Sequence, residues 1–310
     1  MSIVLALRRL PEGPGRCNSA PFGADFRTGL PFARDNAIIS PGDKMRWPEI
    51  EKTAVPLNLM LDRLTVHSLD DLRSAAQVLH ETALEMGNFR TAPCSNIASK
   101  EPMTDGKGAI LATEVFGWNE SSERWWDRPR LALTSPLTLA CRYESEPFWC
   151  NKSGIHTKQY NPHLASLDLT NFSERAMTEV AIVVPIHLPY GQIGAVSFNP
   201  IGSHRTDLSE EFDLYGDLLG LLARKFICSY VRVMQAQRWI SDDVRLSKRE
   251  IECLRWAAVG KTDGEIATIL SRSCATIRFH IHNAAQKLNA VNRSQAVFKA
   301  GQLGFLGSVN

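Results

Sequence analysis

The amino-acid sequence predicts a two-domain protein, in which an N-terminal α/β/α sandwich precedes a C-terminal all-α domain of four helices. The chain has 310 residues, enough for about two hydrophobic cores. Helix, strand and helix patterns follow one another over residues 60–235, and only helix patterns follow residue 246. The predicted divisions are an irregular extension, an α/β domain, a linker and a helical domain, at residues 1–55, 56–236, 237–245 and 246–310.

The overall composition is that of an ordinary globular protein, with 44% hydrophobic and 22% charged residues. The seven cysteines include no Cys-x-x-Cys pair, which is typical of a reducing compartment. No run approaches the ~18 apolar residues that a membrane span requires, and the N-terminus lacks the charge order of a signal peptide. We therefore expect a cytoplasmic protein without membrane contact.

The first regular element is predicted between Ser68 and Gly87. Residues 1–50 contain six prolines and no sustained period, which predicts irregular structure. Ser68 and Asp71 then form a capping-box pattern, and apolar residues recur at three- and four-residue spacing as far as Gly87. This spacing predicts an amphipathic helix of about five turns.

A β-hairpin and a long helix are predicted after an aromatic-rich region (108–151). The apolar runs VAIVVPI (180–186) and IGAVSF (193–198) flank a Pro-Tyr-Gly turn, which predicts the hairpin. Their continuous apolar character predicts a sheet covered on both faces. The helix spans residues 209–233, and its apolar side is either a dimer interface or an intramolecular contact.

Three helix starts are visible after residue 246. Ser247 with Glu250, and Thr262 with Glu265, form capping-box patterns, and Ser273 is placed to cap a third helix. The third helix has an apolar inward face, formed by Ile277, Ile281, Ala284 and Leu288. Two helices joined by so short a connection, the second with basic residues outward, predict a helix-turn-helix unit.

The charge of this domain favours a polyanionic partner. Residues 241–310 contain ten lysines and arginines against six acids, a balance of +4, and the 45 residues after Glu265 contain no acid. A solvated surface charge is the alternative for each cation taken singly.

The third helix supplies the candidate DNA contacts. Arg278 and His282 lie four residues apart and therefore on one face, and an arginine in the major groove forms a bidentate contact with guanine. We predict base reading by these two residues, with Cys274 and Ala275 close to the same base edges. Phosphate contacts are predicted for three further residues, Arg272, Thr276 and Lys287.

Residues 246–306 resemble the LuxR-type helix-turn-helix domain along their whole length. The matching motifs are Arg249-Glu250, Leu254-Arg255-Trp256, Gly260-Lys261-Thr262, Glu265-Ile266-Ala267, Lys287-Leu288 and Asn292-Arg293. The resemblance implies a DNA-binding transcription regulator with scaffold positions at Glu250, Leu254 and Gly260. It places Arg278, His282 and Lys287 near DNA, although His282 departs from the usual Arg or Asn and leaves the preferred base there open.

The same resemblance implies a homodimer. In relatives the last helix helps to pair two such domains, and its apolar face here comprises Ala296, Val297, Ala300 and Leu303. Two recognition helices about one DNA turn apart read a pseudo-palindromic operator. The expected partners are therefore double-stranded DNA and a second copy of the chain, with RNA polymerase as a further candidate.

Residues 60–235 resemble the autoinducer-binding domain of quorum-sensing LuxR proteins, which bind N-acyl-homoserine lactones. The motifs that carry this similarity are Ser135-Pro136 followed by Trp149, Trp126 at a usual tyrosine, and the strand sequences at 183–186 and 194–197. The resemblance implies a ligand site formed by Trp118, Trp126, Ser135, Trp149, Ala181 and Ser197.

Three positions depart from that ligand site. Ser135 replaces an aspartate that accepts the acyl amide N–H, and a neutral hydroxyl is a weaker acceptor. Ser122 replaces a tryptophan that donates to the lactone carbonyl, for which Trp125 or Trp126 is a substitute after a register shift. Ala181 replaces a glycine. The expected ligand is therefore a molecule other than a standard lactone, or there is none, and a plain hydrophobic core is the alternative for the aromatic cluster.

A regulator controlled by a small-molecule signal is the function that these patterns favour. The alternative is a ligand-independent N-terminal module for dimerisation or protein docking. A phosphorylated receiver domain is disfavoured because the alternation of acidic, Thr and Lys positions on βα units is missing. No nucleophile and base spacing predicts an enzyme, and no cofactor motif is visible. Metal binding is not expected, because no zinc pattern matches the intervals between Cys141, Cys150, His156 and His163.

Overall fold

The computed structural model describes residues 56–99, 101–128, 130–202, 205–234 and 245–307, with the side chains of Ser121 and Ala132 excepted. It shows the predicted architecture, an α/β/α sandwich followed by a domain of four helices. The predicted extension, and all of the predicted linker except Arg245, lie outside the described residues.

One antiparallel sheet forms the middle layer of the N-terminal domain. Its five strands are β1 (Phe89–Cys94), β2 (Phe148–Asn151), β3 (Gly154–Thr157), β4 (Val180–His187) and β5 (Ile193–Pro200). Their order across the sheet is β1-β5-β4-β2-β3. The predicted hairpin is β4 and β5, in which Val184 pairs with Val196. Every residue of β4 except His187 is buried, as the continuous apolar run predicts.

Helices cover both faces of this sheet. In chain order they are α1 (Leu57–Leu64), α2 (Leu72–Gly87), α3 (Leu111–Glu114), α4 (Leu131–Thr134), α5 (Pro136–Ala140), α6 (Pro162–Ala165), α7 (Phe172–Ala176) and α8 (Ser209–Met234). On one face α2 and α8 pack against the strands and against each other, and α1 contacts both. The apolar side of α8, from Phe212 to Tyr230, is buried, so the predicted long helix makes an intramolecular contact. Within the described ranges, no helix has the combined length and hydrophobicity that a membrane span requires.

The predicted helix after Ser68 is confirmed as α2. The carboxylate of Asp71 accepts the backbone N–H of Ser68 at 2.9 Å, although a 3-10 turn over Leu69–Asp71 precedes the first α-helical residue. Asn88, in the left-handed region at φ 54°, ends the helix, and its N–H donates to the carbonyl of Leu84 at 2.9 Å.

On the opposite face of the sheet, α5, α6 and α7 pack against β2 and β4. The buried cluster at this contact contains Ile97, Ala140, Cys141, Phe148, Cys150, Leu164, Phe172, Ala181 and Val183. These helices have only four or five residues each, so they are held by this packing rather than by their own hydrogen bonds.

The C-terminal domain contains α9 (Lys248–Ala258), α10 (Asp263–Ile269), α11 (Cys274–Lys287) and α12 (Arg293–Gln302). Each helix begins after a side chain that accepts a backbone N–H of the first turn, namely Ser247, Thr262, Ser273 and Asn292. Both predicted capping boxes, completed by Glu250 and Glu265, are formed. The predicted helix starts are thereby confirmed.

The inward face of α11 packs as predicted. The apolar face of α12, which the resemblance assigned to the pairing of two domains, packs inside its own domain. Ala296 and Ala300 are fully buried against Leu254, Ala284 and Leu288, and two further α12 residues, Val297 and Leu303, are partly buried against the same cluster. This face therefore closes the core of the domain, because its small alanines allow α12 to lie close to α9 and α11. The exposed apolar residues of this region are instead Val291 and Phe298, at 87% and 63% exposure.

Gly194 in β5 is required by the close approach of α8 to the sheet. A Cβ atom on Gly194 would lie 2.9 Å from Cγ2 of Ile227 in α8 and 3.1 Å from the carbonyl oxygen of Cys94 in β1. Both separations are shorter than ordinary van der Waals contact, and the carbonyl cannot rotate away. A side chain here would push neighbouring elements away from β5.

We expect Gly194→Ala to lower the free energy of unfolding by about 1–3 kcal/mol because it overpacks this contact. Gly264→Ala in α10 is the control, since its Cβ would meet nothing within 4 Å. Urea unfolding followed by circular dichroism measures both. Equal stability of Gly194→Ala and the parent would show that α8 does not lie so close to β5.

Candidate nucleic-acid interface and ligand cavity

The outward face of α11 is a continuous exposed surface. Helical periodicity places Ala275, Arg278, Phe279, His282 and Gln286 on one side, and all five are exposed. An α-helix with a free face is about as wide as the major groove of DNA, roughly 12 Å. This face is therefore shaped and placed to enter a duplex.

The turn before α11 is short and depends on two serines. Ser271 has φ 52°, and its N–H donates to the carbonyl of Thr268 at 3.2 Å. The hydroxyl of Ser273 accepts the N–H of Thr276 at 3.1 Å and lies 2.8 Å from the Thr276 hydroxyl. Thr276 is thus part of the cap. Arg272 is exposed beside it, so both predicted phosphate contacts lie at the N-terminal end of α11.

Lys287, the third predicted phosphate contact, is held by an internal ion pair. Its Nζ donates to both carboxylate oxygens of Glu250 at 2.9 and 2.8 Å, and Glu250 also accepts the N–H of Ser247 at 2.7 Å. Burial raises the pKa of Glu250, but these hydrogen bonds outweigh burial and leave the pKa below its ordinary value. Any contact of Lys287 with DNA competes with this pair.

The predicted base-reading residues are exposed. The side chain of Arg278 is 72% exposed, and its Nε lies 3.4 Å from Oδ2 of Asp263 at the start of α10. His282 is exposed one turn later, with Ala275 exposed and Cys274 half-buried toward the N-terminus of the helix. The structure therefore brings Ala275, Arg278 and His282 onto the outward side of α11, whereas Cys274 packs partly against the core of the domain.

Sequence reasoning missed Phe279. This side chain is 60% exposed on the outward face of α11, between Ala275 and His282. Together with the exposed Ala275, it gives this face an apolar part beside Arg278 and His282. Counting helical positions outward from Arg278 would have identified it.

A cavity of about 140 Å³ lies in the N-terminal domain, between the sheet and the segment that contains α4, α5 and α7. Its strand side is formed by Ala92, Cys94, Val183, Ala195 and Ser197. Its helix side includes Leu131, Ser135, Leu137, Cys141 and Ala176. The lining is mainly apolar with a few polar groups, which is the usual character of a small-molecule site.

Four of the six predicted ligand residues line this cavity, namely Trp118, Trp126, Ser135 and Ser197. Trp149 does not. Its neighbour Phe148 pairs with Val183, which faces the cavity, so alternation along β2 turns Trp149 to the other face, where it stacks on His156 at 4.0 Å between ring centroids. Ala181 is buried in the adjoining core cluster and does not line the cavity either.

Ser135 lines the cavity and is the N-cap residue of α5. The residue is 6% exposed, and its side chain makes no capping hydrogen bond. Its hydroxyl can donate to or accept from a polar atom of a molecule in the cavity.

The tryptophans beside the cavity form an edge-to-face wall. Trp118 and Trp125 have ring centroids 5.4 Å apart, and Trp125 and Trp126 are 4.7 Å apart. The indole N–H of Trp118 donates to the carbonyl of Thr91 at 2.7 Å, so it is already used within the protein. Trp118 therefore offers the cavity an apolar ring rather than a donor.

Two thiols that the sequence did not single out also face the cavity. Burial raises the pKa of Cys94 to about 11 and that of Cys141 to about 12, so both are protonated near neutral pH. Cys94 lies on β1, a strand that the sequence analysis did not predict. In the part of the chain that the structure describes, no three His, Cys, Asp or Glu side chains converge as a metal site.

The residues that line the cavity include four charged ones, namely Glu101, Glu123, Arg128 and Arg175. Arg175 contacts Asp168 at 2.8 Å and donates to the carbonyl of Thr134, and Glu123 contacts Arg90 at 3.0 Å. Arg128 donates to the carbonyl of Ser122 at 2.9 Å. The strand residues that line the cavity are all uncharged.

The four capped helices, with the exposed outward face of α11, have the arrangement of a helix-turn-helix domain. A family model described as GerE, bacterial regulatory proteins of the luxR family, matches residues 244–300. The C-terminal domain is thus similar to this family over most of its length.

Known proteins resemble longer parts of the chain. Transcriptional activator protein VanR of Vibrio anguillarum is 36% identical over 123 residues, which are 40% of this chain and 50% of VanR. Transcriptional activator protein AhyR of Aeromonas hydrophila is 25% identical over 197 residues, 62% of this chain and 74% of AhyR. The match to VanR thus spans about half the length of that protein. The crystal structure of Escherichia coli SdiA, at 20% identity and a TM-score of 0.45, covers 81% of this chain and 97% of the SdiA chain.

Replacing Glu250 by Gln is expected to weaken the domain in a pH-dependent way. Because the pKa of Glu250 is lower in the folded protein than in the unfolded chain, the carboxylate stabilises the folded state. This stabilisation is complete at pH values above the unfolded-state pKa, near 4.5, and is lost as the pH falls through the folded-state pKa. We expect Glu250→Gln to lose about 1–3 kcal/mol of unfolding free energy at neutral pH, since it leaves Lys287 without its carboxylate. The difference from wild type should narrow below pH 4.5.

Urea titrations at stepped pH values measure this difference. Glu252→Gln is the matched control, because Glu252 is 38% exposed and pairs with Arg249 on the surface of the same helix. A difference for Glu250→Gln that stays constant across the acidic range would contradict the lowered pKa.

Proposed function

We propose that this chain is a LuxR-type transcription regulator that binds DNA as a homodimer and responds to a small neutral molecule in its N-terminal cavity. The exposed outward face of α11 carries this proposal, because it presents Arg278 and His282 unsheltered by the rest of the domain. VanR and AhyR, which are named as transcriptional activators, support the regulatory role.

The outward face of α11 offers two kinds of base contact. Arg278 is suited to guanine, whose O6 and N7 accept a bidentate pair, and His282 adds a second polar contact. Ala275 and Phe279 present apolar surface that suits the methyl group of thymine. Arg272 and Thr276, at the N-terminal end of the helix, are placed to contact phosphates and fix the register.

A homodimer follows from the geometry of such recognition. A single helix reads only a few base pairs, and two copies about one DNA turn apart read a pseudo-palindrome. Val291 and Phe298 at α12 are exposed apolar residues that a symmetric contact between two domains would bury. RNA polymerase is a proposed further partner of the DNA-bound dimer.

We expect Arg278→Ala to lose about 1–3 kcal/mol of binding free energy, about five- to 150-fold in affinity, for duplexes that wild type selects from a random library. Fluorescence anisotropy measures the loss. Arg255→Ala is the control, because it removes the same charge from an exposed position on α9. Full affinity of Arg278→Ala for the selected duplex would exclude α11 as the recognition helix.

The chemistry of the cavity favours a neutral amphipathic ligand. Its tryptophan rings and aliphatic side chains suit an apolar body, and its thiols are uncharged. Ser135 supplies one hydroxyl that can donate to or accept from a polar atom of the ligand. A charged head group would lose its hydration beside the uncharged strand side of the cavity.

Binding in the cavity would regulate DNA affinity by changing the populations of two states of the protein that differ in their affinity for DNA. A ligand that fills the space between the sheet and α5 stabilises the folded N-terminal domain, and a difference in affinity between two states of the protein is sufficient for control. The competing view, a ligand-independent module for dimerisation or docking, predicts no such stabilisation.

In a screen of neutral amphiphiles that includes N-octanoyl-homoserine lactone for comparison, we expect an amphiphile other than a standard lactone to raise the melting temperature of wild type in proportion to the logarithm of its concentration. Ser135→Ala should need about tenfold more ligand, because one hydrogen bond is lost. Ser166→Ala, whose hydroxyl donates to the carbonyl of His163 outside the cavity, is the matched control. No shift with any neutral amphiphile, and no small molecule retained in native mass spectrometry, would favour the ligand-independent module.

A further inference from the structure

We propose that Asp263 is a positioning residue for base recognition, because its carboxylate lies 3.4 Å from Nε of Arg278 while the terminal nitrogens of that guanidinium contact no described residue. This inference rests on the proposed DNA-binding role of α11. It assigns sequence specificity to a residue of α10 that does not lie on the helix that reads the bases.

Asp263 lies between two arginines from different helices. It is the first residue of α10, directly after the cap Thr262, and its side chain is 26% exposed. Oδ2 lies 3.4 Å from Nε of Arg278 in α11, and Oδ1 accepts from Nη1 of Arg293 in α12. The carboxylate therefore ties the starts of α10 and α12 to the first half of α11.

Arg293 fixes the carboxylate from the other side. Its Nη2 donates to the carbonyl oxygen of Lys261, so its guanidinium bridges a backbone group and Asp263. With both oxygens facing cations, Asp263 does not present an uncompensated negative charge to the phosphates of DNA. The group of two arginines and one aspartate keeps a net charge of +1.

The contact at Nε decides how Arg278 can meet a base. A guanidinium has five N–H donors in a rigid planar fork. Nε lies 3.4 Å from Oδ2 of Asp263, whereas Nη1 and Nη2 have no partner within the described residues. These two nitrogens match O6 and N7 of guanine end-on. The two unpaired terminal nitrogens of Arg278 therefore suit the two acceptors of guanine better than a single phosphate oxygen.

Holding Arg278 in this way raises specificity for two reasons. A long side chain that is already oriented loses less rotamer freedom when it binds. Its attraction to Asp263 also opposes a swing toward the phosphates, where it would add affinity without sequence preference. Loss of Asp263 should therefore weaken specific binding and strengthen non-specific binding.

A selection experiment tests this assignment with the full-length chain. Wild type, Arg278→Ala, Asp263→Asn and Asp263→Glu are each used to select from a library of random duplexes. Arg278→Ala should erase the preference for one guanine in each half-site, and Asp263→Asn should weaken that same preference by about five- to tenfold and leave other positions unchanged. Asp263→Glu, which restores the carboxylate, should recover it. An unchanged guanine preference in Asp263→Asn overturns the proposal.

A double-mutant cycle keeps the test decisive if Asp263→Asn also loosens the contact with Arg293. In the Arg278→Ala background, Asp263→Asn should change affinity for the wild-type duplex by less than about twofold, because no guanidinium remains to be positioned. An equal loss in both backgrounds would assign Asp263 a purely structural role and overturn the proposal. If Arg278→Ala leaves every base preference intact, the proposed recognition by α11 fails instead.

Discussion

The buried carboxylate of Glu250 joins the beginning of α9 to the end of α11. It accepts the N–H of Ser247 and both hydrogen bonds from Lys287, so that a charge which is only 4% exposed has its oxygens satisfied. A four-helix domain of this size has a small core and depends on such contacts. This pair fixes the C-terminal end of α11 against α9, and the buried Ile277, Ile281 and Ala284 hold the rest of the helix in the core.

The helices of the C-terminal domain could be predicted because their starts are encoded locally. Ser247, Thr262 and Ser273 each accept a backbone N–H within three residues, which a sequence displays directly. The role of the α12 apolar face could not be predicted in this way. A stripe that contains Ala296 and Ala300 suits a dimer contact and an internal contact equally well, and only the fold shows that it is buried.

The N-terminal sheet was predicted only where its strands are long and continuously apolar. β4 and β5 were found, whereas β1 contains Arg90 and Pro93, and β2 and β3 have four residues each. Because β2 was not predicted, the sequence did not show on which face of the sheet Trp149 lies. Side chains alternate between the two faces along a strand, so the face of a residue is known only once its strand is identified. The family resemblance predicted that Ser135 lies at a ligand site, and Ser135 lines the cavity. No sequence pattern predicted that Cys94 and Cys141 also line it.

The raised pKa values of Cys94 and Cys141 have a consequence for the chemical durability of the cavity. Oxidants attack the thiolate form of a cysteine, and burial disfavours this form in both residues. The two sulfur atoms therefore line the cavity as soft, polarisable surface of low reactivity.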